Sequence, residues 1–280
     1  MREIPAAAVT EAVKDMCISI NYELSGDMVS ALENAAAEEE SPLGRKILEQ
    51  LQDNLKIAKE DRIPICQDTG MAVVFLEIGH DVHVTGGALE EAVQEGVRQG
   101  YEEGFLRKSV VGDPLLRVNT KDNTPAVVYY SVVPGEVFRI TVTAKGFGSE
   151  NMSRIFMLKP AQGVEGVKDA ILEAVREAGP NACPPVVVGV GIGGTFEKAA
   201  LMAKEALLRP IGTPAEQPHI RELEDELLKK INGFGIGPGG LGGRITALAV
   251  HINTYATHIA GLPVAVNMCC HVDRHAVREL

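Results

Sequence analysis

The sequence has no apolar run approaching the roughly 20 residues needed to cross a bilayer. Its opening, Met1-Arg-Glu-Ile-Pro-Ala6, has no long apolar h-region. Neither a membrane span nor a secretory signal is expected. There is also no lysine- or arginine-rich run, and the net charge is −11, which argues against nucleic acid as the main partner. An anionic substrate would need specific arginines acting against that overall field. No two cysteines show the C-x₂-C spacing usual in zinc sites, and the five present are odd in number and widely spread. That speaks against a disulfide framework and fits a reducing cytoplasm. Tryptophan is absent and aromatics are 4%, whereas 29 glycines leave much of the conformational work to loops.

What is present is ordinary in bulk. The 280 residues suffice for one large domain or two modest ones. A hydrophobic content of 45% and a charged content of 23% are those of a soluble globular protein. Apolar periodicity predicts helices over 5–22, 27–37, 44–59, 88–101, 164–178, 195–208 and 219–231, and strands over 71–78, 186–190 and 245–251. Residues 126–133 and 137–144, flanking Pro134-Gly135, read as a hairpin. Ser149 then reads as the cap of a helix carrying Met152, Ile155 and Phe156. Interleaved helices and strands predict an α/β class with a mixed sheet flanked by helices. We expect one domain over 1–280, with a helical N-terminal part at 1–60 and an α/β core at 61–280. Glu38–Pro42 reads as a solvated acidic turn, His80 and His83 as surface histidines in a polar turn, and Cys17 as one of a buried helical stripe.

The chemistry concentrates in Ile65-Cys66-Gln67-Asp68-Thr69-Gly70, at the mouth of the strand that begins at Met71. A soft metal ligand, an amide, a carboxylate and a hydroxyl side by side are poor core material and good site material. Two other cysteines share such surroundings. Cys183 is followed by Pro184-Pro185, which fix the backbone after the thiol. Cys270 lies in the C-terminal tail directly after Cys269, and adjacent cysteines rarely both bind one ion, so one of the pair is left for packing. Three isolated thiolates suit an iron–sulfur cluster with one iron left open, and such an iron is a Lewis acid for a hydroxyl or carboxylate. Gly189-Val-Gly-Ile-Gly-Gly194 satisfies G-x-G-x-x-G after a strand and before a helix. It lacks the second strand and the acidic residue about 20 positions on that an NAD site requires.

Ile65-Cys-Gln-Asp-Thr-Gly70, Lys145-Gly-Phe-Gly-Ser-Glu-Asn151, Ala182-Cys-Pro-Pro185 and the His258…Cys270 tail, in that order, resemble class I fumarate hydratases. The likeness is closer to the separate α subunit of the two-subunit form, related to the L-tartrate dehydratase α subunit, and covers nearly the whole chain. The resemblance implies an oxygen-sensitive [4Fe–4S] cluster held by Cys66, Cys183 and Cys270, the tail being aligned on Cys-x-x-Asp-Arg. It implies that Gln67, Asp68, Arg107 and the glycines around Gly148 line a dicarboxylate pocket. His258 matches a histidine that reaches an active site across an α–α dimer interface. Leu262 stands where some single-chain relatives carry another cysteine.

The implied reaction is reversible hydration of fumarate to L-malate, with Asp68 and His258 as proton-transfer candidates and Arg107 on a carboxylate. Nothing in the chain resembles the second domain of the single-chain members. A separate β subunit in an α₂β₂ assembly is therefore expected to complete the pocket. L-Tartrate or mesaconate as substrate, and a redox or iron-sensing cluster protein, are the alternatives. The second is disfavoured because electron carriers use four ligands.

Overall fold

The computed structural model describes residues 1–280. In chain order its elements are β1 (Arg2–Pro5), α1 (Ala6–Tyr22), α2 (Gly26–Glu38), α3 (Pro42–Asp61), β2 (Met71–Gly79), β3 (Val82–Thr85), α4 (Leu89–Glu103), β4 (Val127–Val133) and β5 (Phe138–Lys145). There follow α5 (Phe147–Glu150), β6 (Arg154–Leu158), α6 (Gly163–Ala178), β7 (Val186–Gly193), α7 (Phe196–Ala206), α8 (Pro218–Asn232), β8 (Ala247–Tyr255), β9 (Leu262–Cys269) and β10 (His275–Glu279). The chain is mixed α/β with a helical N-terminal segment, as expected. It packs as two compact units, one of Met1–Ser25, Leu55–Phe147 and Arg274–Leu280, the other of Gly26–Asn54 and Gly148–Asp273.

The first unit is built on a four-stranded sheet in the order β10-β5-β2-β4. Val9, Val13, Met16, Cys17 and Ile20 recur at helical spacing on α1, and Val93, Val97 and Tyr101 do so on α4. They close over Ala72, Val74, Leu76, Phe138, Ile140 and Val142 of the sheet. Each fully buried large side chain there contributes about 1.5–3 kcal/mol of transfer free energy.

The expected 126–144 hairpin does not form. β2 lies between its two arms, parallel to β4 (Val73↔Val127 to Gly79↔Val133) and antiparallel to β5 (Met71↔Lys145 to Ile78↔Phe138). β2 is the most continuously apolar of the three strands and takes a central position, hydrogen-bonded along both of its edges. Its end occupies the turn itself, with Gly79 N–H donating to Val137 O at 2.6 Å and His80 N–H to Val133 O at 2.9 Å. His80 is in the following turn, whereas His83 pairs with Glu3 as part of β3 rather than standing in that turn.

In the second unit the sheet order is β6-β9-β7-β8. Helices α6 and α8 bury Val167, Ile171, Val175, Leu223, Leu227 and Ile231 against Val188, Val190, Val250 and Val266. Helix α7 covers the other face so closely that a Cβ at Gly189 or Gly191 would stand 2.2 or 2.1 Å from a carbonyl oxygen of Ala203 or Ala199. The glycines of the G-x-G-x-x-G stretch thus have a packing reason, the approach of a helix to a strand.

Two local expectations fail here. The helix after Gly148 stops at Glu150, and 154–158 is strand β6, paired with β9 from Arg154↔Val266 to Leu158↔Leu262. The spacing of Met152, Ile155 and Phe156 reads as helical, but the side chains alternate. Phe156 and Leu158 pack into the main core, and Ile155 packs on Ala199 and Ala203. Ser149 is buried and caps no helix of that length.

Glu39 is also not a solvated residue. It is 1% exposed. Its carboxylate accepts backbone N–H groups of Ser41 (2.8 Å), Arg244 (2.9 Å) and Ile245 (2.8 Å), gathering the glycine-rich 233–243 segment and the approach to β8. Burial pushes its pKa up, and the N–H groups of Ile245, Arg244 and Ser41 outweigh it, so the net shift is downward. A folded-state pKa below the unfolded one stabilises the fold above the ordinary glutamate range, and the stabilisation is lost as pH falls through the depressed value. E39Q is expected to cost about 1–3 kcal/mol at neutral pH. Thermal melts should show the gap to the wild type narrowing on acidification; a gap constant with pH would contradict the account.

Candidate active site

The residues between α3 and β2 are fixed as a rigid cradle. Ile65 N–H donates to Asn21 O at 2.9 Å. Cys66 and Asp68 are half-buried, Gln67 is exposed, and Thr69 and Gly70 are buried. Three consecutive carbonyls are then held from three different parts of the unit. Arg274 Nη2 donates to Asp68 O at 2.5 Å, Tyr101 Oη to Thr69 O at 2.8 Å, and Asn123 Nδ2 to Gly70 O at 3.2 Å. Burial pushes the Tyr101 phenol pKa upward, so it stays protonated and remains a donor. Gly70 has φ +75°, and a Cβ there would lie 2.9 Å from Lys145 N, so the loop runs hard against β5.

This cradle aims one carboxylate. Asp68 Oδ1 accepts Gly70 N–H at 3.0 Å, an ordinary Asx turn, and Oδ2 accepts Phe147 N–H at 2.9 Å, a contact across 79 residues. The second bond goes beyond what a loop cap needs. A Cβ at Gly146 would stand 3.2 Å from Oδ2, so the missing side chain leaves that flank of the carboxylate open. Thr69 Oγ1 donates to Arg107 O at 3.1 Å, tying the Arg107 backbone to the same loop. Asn123 Oδ1 accepts the N–H groups of Ser109 (2.7 Å) and Val110 (3.2 Å), which stiffens the segment after Arg107. The Arg107 side chain is exposed and pairs with no carboxylate. Cys66, Gln67, Asp68 and Arg107 are therefore brought into one neighbourhood.

The second unit holds the other candidates. Cys183 is exposed, in the left-handed region at φ 56°, ψ 64°. That conformation costs a non-glycine residue about 1–3 kcal/mol and is kept where the surroundings enforce it. His271 Nδ1 donates to Cys183 O at 3.1 Å, which joins the Cys183 loop to the segment carrying half-buried Cys270. Gly148 is exposed, with nothing within 4 Å of where a Cβ would be. The turn it belongs to is anchored by Glu150, which pairs with Lys204 at 2.6 Å and accepts Asn267 Nδ2 at 2.7 Å. His258 sits on the exposed β8–β9 connection. Ala260 N–H donates to its Nδ1 at 3.2 Å, so the neutral ring carries its proton on Nε2.

The donor set fits a cluster in its chemistry. None of the five cysteines is in a disulfide. Cys17 lies in the core of the first unit and burial pushes its thiol pKa up to about 12, the reverse of what a thiolate ligand needs. Cys269 is buried and donates to Asp273 Oδ1 at 3.6 Å. Cys66, Cys183 and Cys270 are the three that lie outside strands with their side chains open to solvent to some degree. No group of three histidine, cysteine, aspartate or glutamate side chains is gathered so as to hold a metal ion; a cubane differs from a single ion in taking each thiolate on a separate iron.

The fumarate hydratase (Fumerase) family model matches residues 10–279. The chain belongs to this family. It is a hydro-lyase chain. A protein of Methanocaldococcus jannaschii, provisionally named L(+)-tartrate dehydratase subunit alpha, is 41% identical over 278 residues, 97% of each chain. The L(+)-tartrate dehydratase subunit alpha of Escherichia coli UTI89 is 34% identical, and that of Shigella sonnei 33%, each over 95% of this chain and 88% of the relative. Three residues that sequence reasoning passed over support this family member's Asp68 loop: Tyr101, Asn123 and Arg274. Tyr101 reads as one more core residue on a helix, and Asn123 as loop polarity. Arg274 carried the available signal, a basic residue directly after the Cys270 segment and inside an apolar tail.

Proposed function

We propose that the chain is the α subunit of a two-subunit, [4Fe–4S]-dependent hydro-lyase that adds water to, or removes it from, a four-carbon dicarboxylate. The observation that carries this is the Asp68 carboxylate, held by two backbone N–H groups two residues from Cys66, with an unpaired arginine on the same cradle. Reversible hydration of fumarate to L-malate is the primary reading. Dehydration of L-tartrate is the second, favoured by the names of the relatives.

Cys66, Cys183 and Cys270 would hold the cluster, which when bound supplies a Lewis acid for the substrate hydroxyl and one carboxylate. The rest falls to side chains of this chain. Arg107 would take the other carboxylate through a bidentate pair, fixing which carbon faces Asp68. Asp68, with a lone pair left on each oxygen, accepts the proton from the carbon next to a carboxylate in the dehydrating direction and returns it in hydration. His258 Nε2 is the candidate for the partner proton transfer at the hydroxyl. Gln67 and the Gly148 turn would bound the pocket, and a β subunit would add the cationic groups this chain does not offer, in an α₂β₂ assembly.

The test is anaerobic cluster reconstitution of the α chain with and without its β subunit, assayed on fumarate, L-malate, L-tartrate and mesaconate. Turnover of one of these by the pair, and little or none by the α chain alone, is expected. Full activity from the reconstituted α chain alone would overturn the two-subunit reading.

A further inference from the structure

Arg274 is 3% exposed, and the three nitrogens of its guanidinium have unequal fates. Nε donates to Ala144 O at 3.1 Å, next to the last residue of β5, and Nη2 donates to Asp68 O at 2.5 Å. Nη1 is buried without an acceptor. The backbone of Arg274 is fixed in turn by Thr143 Oγ1, which donates to Arg274 O at 2.9 Å. One rigid fork therefore clamps together the two backbone stretches that define the Asp68 carboxylate: the loop that carries it, and the β5 end leading to Phe147, whose N–H binds Oδ2. Gly146, between them, is the residue whose Cβ would meet both Asp68 Oδ2 (3.2 Å) and Arg274 Nη2 (3.9 Å).

A buried charge with an unsatisfied N–H is costly. An apolar residue would serve a purely structural tail without that desolvation. The fork geometry is what the two carbonyls require, since the donors of a guanidinium are fixed in one plane and those of an ammonium are not. We propose that Arg274 is a positioning residue for Asp68: it sets the orientation of the carboxylate by fixing its loop against the end of β5. This rests on the reading in which Asp68 moves the substrate proton, and it adds a residue that touches no substrate.

The test uses the α–β complex carrying its cluster, with R274K, R274A and D68N prepared in parallel, and amide hydrogen exchange followed alongside kinetics. R274A is expected to lose kcat on the order of 10²-fold, the scale of a misplaced reacting group. KM should move by less than about 3-fold, because ground-state contacts are retained. R274K should fall between the two, and added guanidinium should return part of the kcat of R274A. In R274A the Phe147 amide should exchange faster while amides of β7 keep wild-type protection. Wild-type kcat with wild-type Phe147 protection would overturn the proposal. So would a uniform loss of protection across the chain, which would make Arg274 a residue of the fold alone. If D68N keeps full kcat, the role given to Asp68 falls, and the Phe147 exchange rate in R274A still decides whether Arg274 fixes the loop.

Discussion

Replacing Cys66, Cys183 or Cys270 by serine, one at a time, is expected to remove the iron from the protein and its activity with it. Serine keeps the size and hydrogen-bonding capacity of the side chain, so the loops should survive. A hydroxyl is a far poorer ligand for iron than a thiolate. Even the loss of an outer-shell partner costs roughly 10–100-fold in metal affinity, and direct loss of a ligand costs no less. The controls lie in the same chain. C269S should load iron normally, because Cys269 is buried and donates to Asp273. Conservative replacement of Cys17 should leave iron content unchanged and move only the melting temperature, because Cys17 is core. Iron and sulfide per chain and the visible absorption after anaerobic reconstitution give the answer. Wild-type iron in any of the first three variants would remove that residue from the ligand set.

D68N is expected to lower kcat by about 10³-fold, within the range assigned to a positioned general base, while iron content stays at the wild-type level. Asparagine is nearly isosteric but offers one acceptor oxygen in place of two. It can keep the bond from Gly70 N–H or the bond from Phe147 N–H, not both. A modest fall in thermal stability therefore accompanies the loss of rate. The two effects separate in D68E, which restores a base on a longer arm and should recover part of kcat without recovering the geometry. A D68N complex with full iron and wild-type kcat would transfer the proton step to another residue.

The sequence was most readable where one period dominates. The α1 stripe of Val9, Val13, Met16, Cys17 and Ile20 and the β2 run from Met71 lie where spacing and apolar content placed them. It was least readable where two periods share the same residues, as at Met152, Ile155 and Phe156. It also misled where partner choice outranks local turn chemistry, as at Pro134-Gly135, because a two-residue turn says nothing of a third strand wedged between its arms. Glu39 escaped for a related reason: a run of acids looks solvated until the backbone N–H groups of residues 244–245 are folded onto it. In the candidate site, Cys66, Asp68 and Cys183 stood out because each sits among glycine, proline or polar neighbours. The supports of the Asp68 loop, Tyr101, Asn123 and Arg274, reach it from 31 to 206 positions away in sequence, and no local pattern marks Tyr101 or Asn123.

The unit that contains Asp68 opens the chain, yet one of its four sheet strands, β10, and its clamp, Arg274, come from the last seven residues. Gly148–Asp273 is thus an insertion within the unit that encloses it in sequence. During synthesis at about 5–20 residues per second, the inserted body has all its strands before the enclosing one can seat its edge. The half of the molecule that begins first is the half that finishes last.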